Sequence, residues 1–571
     1  MIWLFITFWC ILEIKANNEF MINNPHCRMP NFSAFSEETN RIFMSLPYVN
    51  CTDLSILTYT SVKNNTAYLH INEDYINQYY SPNDSIDCCY SYVRRKGTED
   101  YPDIGISLST CQMFNSTIPL EEDTVKVQCY LGADKIYQNV HTTLVISESV
   151  AAKMENLTNN SDKKKPLSVL FIVIDSVARL NFERTMPISK EFLIENNFTE
   201  FLGYNKIDDN TFPNFNALIT GLNLKQSNII CKPEVVGELD KCPMIWYDYR
   251  KHGYATAYAE DWASISTYNY VKKGFKEPPT DYYFKPYMEA ARSLGTIQVD
   301  TMPHCSGPES QGERILNVAR DFAATFKDKP SFGIFWMNTF SHNYINSPTR
   351  MDLRFKDFLQ GLKSDGILDE SMVVLLADHG IRFGEIRQTI QGWYEERLPM
   401  NFISLPSWFK EENPTKYENL LINSHRLTST YDLYMTLQDV LSSSVNNYNI
   451  SESLACPSCK SLFSVIPENR SCLHAGVPEE WCTCIGKFNK NHNDLTPELK
   501  RAVFKFIMQP NVFRPPTVID TILKSSITYH QRRAYFLVFV KATDFSTYQV
   551  LIRATRRPIR FVKVVQIIKL W

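Results

Sequence analysis

The chain has 571 residues, 44% of them hydrophobic and 21% charged, with a formal net charge of −3. That is the balance of an ordinary globular protein, long enough for about three or four domains, and it excludes a disordered or low-complexity chain. A pI near 6.4 leaves no general basic field for nucleic acid, although the stretch from Arg553 to Lys569 is locally basic.

Residues 1–16 contain the apolar run Ile2 to Leu12, the length of a signal-peptide core and too short to span a bilayer comfortably. The expectation is a secretory signal, with an uncleaved amino-terminal anchor as the alternative. Of 15 cysteines, loss of Cys10 with the signal leaves an even 14, as in a disulfide-bonded protein of an oxidising compartment. Acceptor sequons at Asn31, Asn50, Asn64, Asn83, Asn115, Asn156, Asn197, Asn449 and Asn469 predict N-linked glycans, most densely before residue 200. The protein is therefore expected outside the cell, touching a membrane only if the first segment stays as an anchor.

Residues 17–160 carry six cysteines and short alternating runs such as Val125 to Tyr130 and Thr143 to Ser147, and predict a small, β-rich, disulfide-stapled domain. Asn156 to Lys165 is polar and charged and reads as a linker. From residue 161 to 450 the rhythm changes. Pro166 to Ile174 is an unbroken apolar run ending in Asp175, the pattern of a parallel strand buried on both faces. Further apolar strands are expected at Tyr254–Ala259, Ser331–Trp336, Met372–Ala377 and Met400–Leu405. Helical spacing separates them, as in Ile315, Leu316, Ala319, Phe322, Ala323 and Phe326, and again in Leu353, Phe355, Phe358, Leu359 and Leu362. Strands alternating with such helices make an α/β architecture with a mostly parallel sheet.

Four strand ends in this body carry chemistry. Ligands of open α/β sheets bind at the carboxyl edge, where Asp175 falls. Thr211, in Asp208 to Gly221, precedes Phe212-Pro213 and a short helix closed by Gly221; it reads either as a helix N-cap or as a hydroxyl that a helix terminus favours as an alkoxide. Asp378-His379-Gly380 follows an apolar strand and is half of a metal site, or else a turn. His342 lies just past the Ser331–Trp336 strand, where a lone His is often only a satisfied side chain. Residues 451–485 hold Cys456, Cys459, Cys472, Cys482 and Cys484, better read as disulfides than as a zinc cluster in an exported chain. Residues 486–571 predict a β-rich tail, its last basic and apolar stretch a strand rather than an anionic-surface contact.

Together these strand ends resemble the alkaline-phosphatase superfamily, in which a metal-bound hydroxyl nucleophile lies between an early Asp and a late Asp-His-Gly. Thr211-Phe-Pro-Asn214 is similar to the nucleophile motif of its nucleotide pyrophosphatase/phosphodiesterase branch; sulfatases need Cys or Ser at that place, and this chain has Thr. More closely, Leu170 to Arg179, Asn210 to Asn214, Ala257 to Trp262, Asp378 to Gly384, Glu395 to Pro399 and Cys472 to Cys484 resemble the animal secreted or membrane family of domain of unknown function 229. The resemblance implies a three-layer α/β/α sandwich of alkaline-phosphatase type. It implies Thr211 as nucleophile, a metal held by Asp175, Thr211, Asp378 and His379, Asn214 bonding a non-bridging oxygen, and His342 meeting the substrate or a second metal. Asn338 replaces the Asp of two-metal relatives, and no His occurs between His379 and His425. One tightly held divalent ion, Zn2+, with a weak or absent second site is therefore expected. The implied function is that of a metal-dependent hydrolase or transferase acting on a phosphate ester, with no nucleic acid as a specific ligand. The alternatives are an inactive extracellular binding protein on the same fold and, third, a sulfatase-like sulfuric ester hydrolase.

Overall fold

The computed structural model describes residues 19–79, 86–160, 165–489, 497–498, 500–501, 519–557 and 559–570, with backbone alone for 156–160. The expected signal segment, Cys10 and Asn83 lie outside the described residues. Among those described, no helix is long and apolar enough to cross a membrane.

A seven-stranded sheet forms the centre. Across it the strands run in the order Thr199–Glu200, Asn401–Ser404, Ser371–Leu376, Ser168–Ile174, Ser331–Met337, Ala255–Glu260 and Tyr282–Tyr283. The five from Ser371–Leu376 to Tyr282–Tyr283 are parallel; Asn401–Ser404 pairs antiparallel with Ser371–Leu376, and Thr199–Glu200 pairs antiparallel with Asn401–Ser404. All seven residues of Ser168–Ile174 are buried, because both faces are covered. Leu170, Ile172 and Ile174 enter one apolar core with the helices Pro187–Glu195, Gln311–Thr325 and Asp352–Ser364. Val169, Phe171 and Val173 enter a second with Thr211–Thr220, Ile245–Lys251 and Thr430–Ser444. Each large apolar side chain so buried contributes about 1.5–3 kcal/mol, which is why an uninterrupted apolar run takes the central position. The three-layer α/β/α sandwich is thus present.

The amino-terminal region is β-rich as expected, with one sheet of three strands and one of five, stapled by Cys88–Cys129 and Cys89–Cys111. All fourteen described cysteines are paired; the remaining bonds are Cys27–Cys484, Cys51–Cys305, Cys231–Cys242, Cys456–Cys459 and Cys472–Cys482. No cysteine of residues 456–484 is left for zinc. Two of these bonds reach between distant stretches: the hairpin Phe20–Asn24/Cys27–Pro30 is sewn to residues 484–486, and Cys51 to the α/β body. The expected linker at 156–165 is corrected in part, since the helix Glu148–Asn160 occupies its first half; residues 161–164 lie outside the described residues. The carboxyl-terminal strands Ile519–His530, Arg533–Ala542, Thr547–Thr555 and Phe561–Leu570 form an antiparallel meander. The sequons at Asn31, Asn50, Asn64, Asn115, Asn197, Asn449 and Asn469 are all exposed.

Candidate active site

Strand register alone brings four ends level. Val173 stands opposite Trp336 on one side and Leu376 on the other, and Glu260 stands opposite Trp336. Two residues beyond each of these along the parallel strands come Asp175, Asn338, Asp378 and Trp262. The edge they share opens into a cavity of about 500 Å³ lined by Asp175, Thr211, Trp262, Asn338, His342 and Arg382, among others.

On one side of this cavity the chain turns sharply after Asp175. Ser176 takes a left-handed φ of 62°, uncommon for a residue with a Cβ and a sign of a turn that the surroundings enforce. The turn aims its backbone N–H at Asp378 Oδ1 (3.3 Å) and lets its hydroxyl donate to Asp175 Oδ1 (2.7 Å). His379 Nδ1 lies 2.9 Å from the Gly380 carbonyl. A carbonyl only accepts, so Nδ1 carries the proton and Nε2 presents a lone pair. That Nε2 lies 3.2 Å from Asp378 Oδ2 and 3.9 Å from Asp175 Oδ1. Gly380 is required here, because a Cβ would fall 2.2 Å from the Glu395 carbonyl.

The electrostatics of these groups are unfavourable as they stand. Burial, with the nearby Glu260 and Asp261 charges, pushes the Asp175 carboxyl up to about 7 against the Ser176 hydrogen bond that lowers it. Burial and the Asp175 charge raise Asp378. Burial pushes the His379 imidazole down to about 4, with Lys206 and Arg382 adding to the effect and Asp378 opposing it. Asp378 Oδ2 and His379 Nε2 are buried with no hydrogen-bond partner, a costly arrangement for polar atoms. Ligand atoms of Asp175, Asp378 and His379 all lie within 4.8 Å of one another. Two carboxylate oxygens and one imidazole nitrogen with unused lone pairs form a donor set that fits a divalent cation.

Thr211 opens the helix Thr211–Thr220, and the extended residue before it, Asn210, holds the cap position. The N-cap reading of Thr211 is therefore replaced: it is the first helical residue, and its hydroxyl makes a long contact of 3.5 Å to Asp175 Oδ2. Gly221, at φ 69°, closes the helix as expected. Asn214 is not brought to the cavity. Its Oδ1 accepts from the backbone N–H groups of Ile207 (2.8 Å) and Asp208 (3.3 Å), and its Nδ2 donates to the carbonyls of Asp208 and Asn210 (both 2.9 Å). The expected contact to a non-bridging oxygen is corrected on that ground, since the amide is consumed in shaping the loop that presents Thr211.

The opposite side differs. Asp261 Oδ1 accepts from the N–H (2.7 Å) and amide (3.1 Å) of Asn338, and its Oδ2 from the N–H (3.0 Å) and hydroxyl (2.6 Å) of Thr339. His342 lines the cavity with its ring edge-on to Trp262 at 5.9 Å and Nδ1 2.6 Å from Asn343 Oδ1, and burial lowers its pKa. Arg382 enters paired with Asp209 at 2.9 Å. Lys272 sits 4.2 Å above the Phe212 ring and is pushed down to about 8 by burial.

Sequence reasoning gave no role to Ser176, Asp261, Lys272 or Arg382. Asp261 and Arg382 stand within stretches that carried the family resemblance, which was a usable signal. Ser176 too lies in such a stretch, Leu170 to Arg179, but its left-handed φ is visible only in the structure, and nothing around Lys272 marked it.

Among solved structures the chain is similar to the lipoteichoic acid synthase LtaP from Listeria monocytogenes, at 15% identity over 61% of this chain and 94% of that one, with a TM-score of 0.36. It is also similar to the putative sulfatase yidJ from Bacteroides fragilis (13% identity, 70% and 90% covered, TM-score 0.36). A protein in the alkaline phosphatase superfamily from Vibrio parahaemolyticus matches at 12% identity over 72% and 91%, TM-score 0.36. Likenesses of this order say nothing about chemistry, which has to be read from the side chains. No curated protein sequence matches the chain. The family model described as "Protein of unknown function (DUF229)" matches residues 45–509, well over half of the chain, and the protein belongs to that family.

Proposed function

We propose that this protein is an exported, metal-dependent hydrolase or transferase of phosphate esters in which Thr211 is the nucleophile. The observation that carries the reading is the convergence of Asp175, Asp378 and His379, two of whose ligand atoms are buried and otherwise unpartnered, beside a hydroxyl in the first turn of a helix. Asp175, Asp378, His379 and Thr211 would hold one ion, zinc by the mixture of imidazole nitrogen and carboxylate oxygen. When bound, such an ion neutralises an anionic ester and lowers the pKa of a neighbouring hydroxyl.

The remaining roles belong to the chain's own residues. The Thr211 hydroxyl is directed toward Asp175 Oδ2, leaving its lone pairs to the cavity. The helix amino terminus favours negative charge as it develops on that oxygen. Thr211 Oγ1 forms a bond to phosphorus as the bond to the leaving oxygen breaks, and the hydroxyl proton passes to that oxygen; water or an acceptor hydroxyl then attacks phosphorus, breaks the bond to Oγ1 and returns a proton to the threonine. His342, on the facing side, would meet the leaving or accepting group. Asn214 acts on Thr211 by holding the 207–211 loop. Phosphate is preferred to sulfate because residue 211 is Thr and not Cys or Ser. The fourteen paired cysteines and the exposed sequons support export and glycosylation.

A second reading, a binding protein without turnover, is favoured by one observation: the Asn338 side carries no free carboxylate for a second ion. The experiment that decides is turnover of chromogenic phosphomonoester, phosphodiester and sulfate ester substrates by the secreted protein, with and without chelator, beside Thr211→Ala. Cleavage of one phosphate class by wild type, abolished by chelator and by the substitution, is the expected result. No turnover of any ester by metal-loaded wild type removes simple hydrolysis and leaves a transferase awaiting its acceptor or the binding role. Cleavage of the sulfate ester alone overturns the phosphate assignment.

A further inference from the structure

Away from this site, at one end of the carboxyl-terminal sheet, three stretches distant in sequence enclose a polar cleft of about 400 Å³. They are the amino-terminal hairpin, residues 486–489 and the turn at residues 528–531, joined by a reentrant arginine, Arg556. The cleft is built on fixed backbone. Cys27–Cys484 joins two of the stretches, the Arg28 N–H donates to the Cys484 carbonyl (3.1 Å), and the Asn489 N–H donates to the Ile527 carbonyl (2.9 Å).

The charge of this region sets it apart. Residues 519–570 hold ten lysines and arginines against two aspartates, a surplus of eight, while the rest of the chain carries −11. Glu479 draws Arg553 (2.7 Å) and Lys563 (2.8 Å) onto the body. Arg28 and Arg556 are exposed and have no ion-pair partner among the described residues; each lies over a ring, Phe20 at 4.2 Å and Tyr529 at 5.2 Å. Lys487 also lines the cleft, and Glu19 is the one carboxylate among its lining residues. His530 is half-buried between these cations. Its Nδ1 is buried without a hydrogen-bond partner, and burial together with the Arg28, His26 and Arg533 charges lowers its pKa against a backbone hydrogen bond with His26 that raises it.

We propose that this cleft binds a sulfated glycan, two or more of whose sulfate groups are taken by Arg28, Arg556 and Lys487. Guanidinium forks match the oxygens of sulfate in pairs. Gln531, whose Nε2 donates to the Pro25 carbonyl at 3.4 Å, and Asn489 line the cleft beside them as polar groups for sugar hydroxyls. A concave site with no exposed large apolar lining residue suits a glycan chain, whereas a lipid surface would need an apolar wedge. The cleft shares no residue with the Asp175 cavity, so binding there would anchor the protein without occupying its active site.

The test is direct binding of the full secreted chain to a heparin-derived oligosaccharide, its desulfated counterpart, phosphatidylserine-containing vesicles and a DNA duplex. Measurements are made at low and physiological salt. The expected result is salt-sensitive binding of the sulfated oligosaccharide over the other three probes. Arg28→Ser with Arg556→Ser should weaken it about tenfold or more, and Lys541→Ser, at the opposite end of the same sheet, should leave it unchanged. Because both arginines are exposed, thermal melting of the double variant should match wild type; if it does not, Lys487→Glu alone replaces it. No binding of the sulfated oligosaccharide, equal binding by the cleft and control variants, or tighter binding of vesicles or DNA overturns the proposal.

Discussion

The two sides of the Asp175 cavity are built from the same kind of strand end and are used oppositely. On the Asp175–Asp378–His379 side, Asp378 Oδ2 and His379 Nε2 face each other with no hydrogen bond to satisfy either. On the Asp261–Asn338 side, each carboxylate oxygen already accepts two hydrogen bonds. Both are buried, so burial is not the difference. Buried polar atoms without partners cost free energy that a bound cation can return, while a carboxylate ringed by donors has nothing left to offer an ion. The contrast supports one metal position rather than two, and it explains how a neutral Asn338 is accommodated: it donates to Asp261, which an aspartate could not do in its ionised form.

The largest effect that would sharpen this contrast is on turnover. Thr211→Ala should lower the rate by on the order of 10³-fold or more while most of the bound metal, measured by elemental analysis, is retained, because the neutral hydroxyl is the weakest of the four ligands. Asp378→Ala and His379→Ala should instead empty the site, weakening metal binding by more than about 100-fold. A Thr211→Ala protein that loses its metal, or an Asp378→Ala protein that keeps it, would break the assignment of roles.

The pH dependence of metal uptake has a definite sign. Asp175 is held up at about 7 without metal, and only its ionised form ligates, so protons compete with the ion below that value. Affinity should fall by about tenfold per pH unit below about pH 7 and level off above it; calorimetry in buffers of different ionisation heat should show proton release near pH 6. A flat affinity between pH 5 and 8 would contradict the raised carboxyl.

On the other side of the cavity, Asn338→Asp places a second carboxylate at hydrogen-bond distance from Asp261 and removes one donor. A loss of about 1–3 kcal/mol in chemical denaturation is expected, with metal stoichiometry unchanged. If the variant takes up two ions per chain, the two sides are equivalent in capacity and differ only at residue 338. Within the same range, Asn214→Ala should cost about 2 kcal/mol and slow turnover without changing the metal content, because the loop that presents Thr211 would lose its brace.

Much of the site was legible before any coordinates. The apolar run into Asp175 reads as a strand buried on both faces, which puts its carboxyl end at the edge where ligands of open α/β sheets bind. Asp378-His379 after a second such run pointed to the same edge for the same reason. Asn214 was misread because an amide in a nucleophile motif does not reveal which way it faces; four backbone groups of the 207–211 loop claim it. The turn at Ser176 and the place of Lys272 were not legible, since a left-handed φ and a cation over a ring are products of packing.

Periodicity, the strand-end carboxylates and an even cysteine count are local properties, and from them the sequence alone determined the α/β class, the β-rich flanks and the sheet edge at which Asp175 and Asp378 fall. Pairing is not local. Only the tertiary structure decided that Cys27 meets Cys484, that Asp261 is saturated while Asp378 is not, and that hairpin and tail meet at a cationic cleft. Each of these depends on which distant groups compete for the same hydrogen bonds and charges, and that competition is settled only when the chain has folded.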